Sequence, residues 1–192
     1  MLFSSIVFLF TFLPVILILY YLVPRRLKNA VLLLCSLVFY AWGEPVYIFL
    51  MIFSIIFNYI SGLDIARNLK NQRAARGSLI FNLVVNLGIL GFFKYEGFLL
   101  DSLNRVLPVD IPYRELALPI GISFYTFQIL SYIIDVYRQN VKAQKNFMDF
   151  ALYVTMFPQL IAGPIVRYSD IERQLHSRQE SFRKFGDGAM FF

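Results

Sequence analysis

Hydrophobic positions in this chain fall into long blocks, and charged positions are confined to the short segments between them. Six stretches carry no Asp, Glu, Lys or Arg: 1–24, 29–43, 45–63, 77–93, 116–134 and 150–166. A helix crossing the bilayer core needs about 20 apolar residues, with a range of roughly 17–25. All but 29–43 reach that range, and Lys28 and Glu44 could reach from its ends toward the interface. The blocks predict helical spans at 4–23, 29–42, 46–62, 77–93 and 116–134. Pro24 with Arg25, Arg26 and Lys28 closes the first, and the turn Trp42-Gly43-Glu44-Pro45 closes the second. Tyr95 to Val106 repeats apolar residues at helical spacing and reads as an interfacial helix, ended by Pro108 and Pro112.

Polar residues inside the blocks separate them into two kinds. Asn58 lies in the third block, and Asn82 and Asn86 lie four apart in the fourth. Amides at that spacing share one helix face, which is expected to meet another helix rather than lipid. The fifth block holds Pro119, Gly121, Ser123, Thr126, Gln128 and Ser131, too polar a set for a lipid-exposed helix. The sixth is interrupted by Pro158, Gly163 and Pro164, so 150–166 reads as a broken or re-entrant segment. The expected fold is all-α: a polytopic membrane protein with about five to six membrane helices plus broken segments, forming one domain over 1–192.

Composition removes the main alternatives. Of 192 residues, 58% are hydrophobic and 16% charged, with a mean hydropathy of +0.63. A soluble domain carries roughly 25% charge, so this chain cannot wet its own surface. The first block lacks a basic start and a small-residue cleavage site, and is read as a retained span rather than a leader. The net charge of +6 lies in loops: 24–29, 64–76 and 135–146 hold ten Lys and Arg, against three in 43–45 and 94–115. That distribution argues against a nucleic-acid partner and for a topology signal, with the ten-cation side cytoplasmic and the N-terminus extracytoplasmic. Cys35 is the only cysteine and His176 the only histidine, so neither an intrachain disulfide nor a metal-ligand set is expected.

Chemistry concentrates in the last two blocks. Breakers and polar groups at membrane depth expose backbone N–H and C=O groups in a low dielectric, which is how a membrane protein lines a chamber. The wall candidates are Ser123, Tyr125, Gln128, Ser131, Tyr132, Asp135, Gln159 and Arg167, with Pro119, Gly121, Pro158, Gly163 and Pro164 as structural breakers. The alternative is that these groups satisfy one another and only build the fold. Asp135 with Arg138 at i,i+3 suggests a local ion pair, and Asp149 a helix-start charge. No residue in the blocks qualifies as a general base.

Four segments in order resemble the membrane-bound O-acyltransferase family, in its bacterial alginate O-acetyltransferase-like branch. They are MLFSSIVFLFTFLPVILILYYLVP, LLLCSLVFYAWGEPVYIFLMIFSIIFNYISG, LPIGISFYTFQILSYIIDVYR and FPQLIAGPIVRY. The resemblance implies an O-acetyltransferase of the bacterial inner membrane that moves an acyl group, with acetyl-CoA as donor, to hydroxyls of an envelope polysaccharide such as alginate. It also implies an extracytoplasmic SGNH-type partner and a ring of helices around a tunnel. The family's catalytic histidine lies in the second half of a much longer chain and has no match here; His176 is outside that motif. The chain is therefore expected to resemble the N-terminal portion only and to be inactive alone. A transporter or channel module, or a non-catalytic scaffold, are the competing readings of the residues themselves.

Overall fold

A computed structural model describes residues 5–106, 118–162 and 166–176, together with 178, 181, 183 and 186. Every regular element among the described residues is helical. A π-helical stretch, Phe8–Phe12, leads into α1 (Leu13–Leu22), and a 3-10 turn, Arg25–Leu27, into α2 (Lys28–Gly43). Two long helices follow, α3 (Ile48–Asn68) and α4 (Gln72–Val106). Four shorter ones complete the set: α5 (Ile122–Tyr137), α6 (Phe147–Thr155), α7 (Phe157–Ala162) and α8 (Tyr168–His176).

The expectation of five to six membrane helices is corrected here. Among the described residues two helices are long and apolar enough to cross a bilayer: Ile48–Asn68, and Gln72–Phe98 within α4. Freedom from charge overstates helix length. The first block supplies only Phe8–Leu22 as a shorter apolar helix, stopped as Val23 turns extended before Pro24. Helices α2 and α5 have 16 residues each, about 24 Å at 1.5 Å per residue, short of a core of about 30 Å. Block 150–166 contributes six residues to α6 and six to α7, with Met156 at ψ 108 between them.

The two long helices pack on each other through polar residues. Asn58 Oδ1 accepts from Asn82 Nδ2 at 2.7 Å and from Asn86 Nδ2 at 2.9 Å, and Asn58 Nδ2 donates to Asn86 Oδ1 at 3.0 Å. All three amides are buried. The opposite faces turn Phe49, Phe53, Ile60, Phe81 and Val84 outward. An inward amide seam with an outward apolar surface suits a helix pair solvated by lipid.

The core lies around α5 and α6. Every residue from Asp149 to Thr155 is buried, the mark of a helix covered on all sides. Tyr125, Ile129, Tyr132, Ile133 and Val136 of α5 pack into the same cluster, joined by Met51 and Ile55 of α3 and Tyr168 of α8. A second cluster seats α7: the Phe157 ring meets Phe8, Phe12 and Phe39 at 5.7–6.0 Å. Asn146 caps α6 by accepting from Met148 N, and Asp149 takes the Asn146 and Asn29 side-chain amides at 2.9 and 2.7 Å. This ties α2 to the start of α6.

Candidate functional site

The turn into α5 sets the position of most wall candidates. Gly121 has φ +77, a left-handed conformation that disfavours any residue with a Cβ. A Cβ there would also stand 2.9 Å from the Leu160 carbonyl oxygen. One residue thus starts α5 and lets α7 pass against it. Pro119 is buried two residues before, and its carbonyl accepts from Ile122 N at 3.2 Å. Helix α5 then carries Tyr125, Gln128 and Tyr132 inward, while Ser123 and Ser131 are half-buried.

Gln128 and Tyr153 hold each other. The Gln128 Nε2 donates to the Tyr153 carbonyl at 2.7 Å, and the Tyr153 hydroxyl donates to the Gln128 carbonyl at 3.2 Å. The Tyr153 hydroxyl also lies 3.1 Å from the Val166 carbonyl, linking α6 to the segment before α8. Tyr132 accepts from Gln144 N at 2.9 Å, and Gln144 Nε2 donates to the Tyr168 hydroxyl at 2.8 Å. The Tyr132, Tyr153 and Tyr168 rings pack with centroids 5.1–6.3 Å apart. Burial pushes the Tyr168 phenol above its ordinary range, and the nearby Glu172 carboxylate adds to this. It therefore serves as a neutral hydrogen-bonding group.

Some polar atoms in the wall are left over. Among the described residues, the buried Tyr125 hydroxyl has no hydrogen-bond partner. Among the same residues, the hydroxyls of Tyr40 and Ser36 and the Gln159 Oε1 likewise have no hydrogen-bond partner. Unsatisfied buried groups carry a desolvation cost of about 1–3 kcal/mol each.

The other sequence candidates sit apart. Asp135 is half-buried and accepts from Asn140 Nδ2 at 3.1 Å, so its partner is Asn140 rather than Arg138. Arg167 and Pro158 are exposed. Gly163 and Pro164 lie outside the described residues, as does the His176 side chain. Sequence reasoning missed Gln144, Tyr153 and Tyr168, which complete the cluster. Tyr153 could have been found as the tyrosine near the start of the charge-free block 150–166; Gln144, in a polar loop, carried no signal. Chemically, the cluster offers neutral hydroxyl and amide groups that can donate and accept hydrogen bonds, and no described group placed to act as a general base.

Comparison with known proteins decides the lineage. The chain is 46% identical over 196 residues to the probable alginate O-acetylase AlgI of Pseudomonas aeruginosa, and 46% identical over 197 residues to that of Azotobacter vinelandii. The chain is homologous to the alginate O-acetylases. The alignments take in 100% of this chain. A peptidoglycan O-acetyltransferase of Helicobacter pylori is 34% identical over 219 residues. The chain spans only 38–41% of these relatives' own lengths. No family model matches the chain, and no solved structure matches it.

Proposed function

We propose that the chain forms part of an O-acetyltransferase acting on hydroxyls of a cell-envelope polysaccharide such as alginate. The observation that carries this reading is the full-chain identity of 42–46% to five alginate O-acetylases. In the proposed reaction the acceptor hydroxyl oxygen attacks the acetyl carbonyl of acetyl-CoA, which is substrate. A C–O ester bond forms, the C–S bond breaks, and the acceptor's proton leaves so that the thiol of coenzyme A is released. A base supplied beyond the residues described here takes that proton. The Gln128–Tyr153 and Tyr132–Gln144–Tyr168 networks hold the wall rigid and keep water from the thioester, where hydrolysis would compete. The enzyme sits in the bacterial inner membrane, with an extracytoplasmic SGNH-type protein completing transfer to the polymer.

A chimera tests this. Residues 1–192 replace the aligned stretch of the Pseudomonas aeruginosa AlgI in a strain lacking its own alginate O-acetylase, and ester content of secreted alginate is measured. Acetylation well above the deletion strain is expected, and the unassisted 192-residue chain should give none. A chimera that reaches the membrane at normal levels yet leaves alginate unacetylated overturns the proposal.

A further inference from the structure

At the end of α3 lies a cavity of about 810 Å³, inside the range of roughly 300–1,000 Å³ typical of small-molecule sites. Arg67, Lys142, Lys145 and Gln139 line it, with Leu63 and Val136 among its apolar lining. No carboxylate lines it. The two nearest along the chain are already occupied by neutral donors. Asp64 accepts from Asn68 Nδ2 at 3.0 Å and Ser78 Oγ at 2.6 Å, and Asp135 accepts from Asn140 Nδ2 at 3.1 Å. Among the described residues, Arg67, Lys142 and Lys145 therefore face the cavity without an ion-pair partner.

The cavity is held in shape. Its loop, 138–146, is fixed from two helices: Tyr59 of α3 donates to the Lys145 carbonyl at 2.6 Å, and Tyr132 of α5 accepts from Gln144 N. Gln139 adopts φ +62, a left-handed conformation that a glutamine takes only when its surroundings impose it. Three unpaired cations, a side-chain amide and an adjoining apolar wall suit one ligand chemistry: a phosphate attached to a less polar body. The place is the boundary end of a helix long enough to span the bilayer, where a lipid headgroup would lie. We propose that this cavity binds a phosphate group, either of an anionic phospholipid or of a soluble phosphorylated molecule. The proposal stands independently of the acyl-transfer reading.

The test uses the full chain in phosphatidylcholine nanodiscs, titrated with dioctanoyl phosphatidylglycerol in one arm and inorganic pyrophosphate in the other. The R67Q/K142Q/K145Q variant is compared with K70Q/R73Q/R76Q, which removes three exposed cations from the neighbouring turn and the first turns of α4. The cavity variant is expected to bind roughly tenfold or more weakly, and the control within about twofold of wild type. Split behaviour in the lipid arm identifies a headgroup, and in the pyrophosphate arm a soluble phosphate. Equal weakening by both variants would mean diffuse surface attraction and overturns the proposal, as does absence of binding to wild type in both arms. Should the triple variant lose its helical circular dichroism, K142Q alone decides: this exposed loop substitution is expected to weaken binding about threefold, and unchanged binding overturns the site.

Discussion

The α3–α4 pair and the α5–α6 pair use similarly apolar sequences in opposite ways. The first meets through amides and turns its phenylalanines and aliphatics outward; the second meets through tyrosines and aliphatics and is covered on most sides. In lipid, an apolar contact between helices gains little, because the tails already solvate the side chains. Register must then come from directional bonds, which the asparagine triad provides. In the interior, where neighbours rather than lipid surround the helix, packing supplies register and polar groups are free to organise a wall.

Glycine substitutions should separate the two regions most sharply. Gly121→Val introduces a Cβ at φ +77 and 2.9 Å from a backbone carbonyl, and should lower stability by about 3 kcal/mol. Gly88→Ala in α4, where nothing lies within 4 Å of an added Cβ, should instead raise it by about 0.5–1 kcal/mol. Thermal unfolding of the detergent-solubilised chain compares them; a neutral Gly121 variant would show that α7 does not seat against α5. Next in size is Asn58→Ala, which strips Asn82 and Asn86 of a shared acceptor and should cost about 1–2 kcal/mol. If this loss is matched by Phe81→Ala on the outward face, the amide seam is not what sets α3 against α4. The smallest loss belongs to Tyr153→Phe. It removes the donor that reaches the Gln128 and Val166 carbonyls and should cost about 1 kcal/mol. In the chimeric acetylase it should lower turnover while the protein stays folded at the assay temperature; equal activity to wild type would separate Tyr153 from the proposed reaction.

Much of the outward-facing region was legible in the chain. Asn58, Asn82 and Asn86 are conspicuous because an amide in a charge-free block needs a partner, and spacing four apart puts two on one face. The interior was less legible for a physical reason. A stretch such as 150–166 lacks charge whether it faces lipid or is enclosed by protein, and hydropathy does not distinguish the two. Only the helix ends do, and Met156 carries no breaker's signature even though α6 ends there. The wall was half visible: Gln128 and Tyr132 stand out beside Gly121, whereas their partners Tyr153, Gln144 and Tyr168 come from segments that only folding brings together.

The loop after α5 is gripped at successive residues by hydroxyls from two helices: Tyr132 takes the Gln144 amide and Tyr59 the Lys145 carbonyl. Mechanically it is a strut. A change in tilt of the long α3 cannot be absorbed there by slack; it is passed to α5 through one peptide unit. The Gln144 amide should therefore resist hydrogen exchange as a core helix does, and release only when α3 and α5 part.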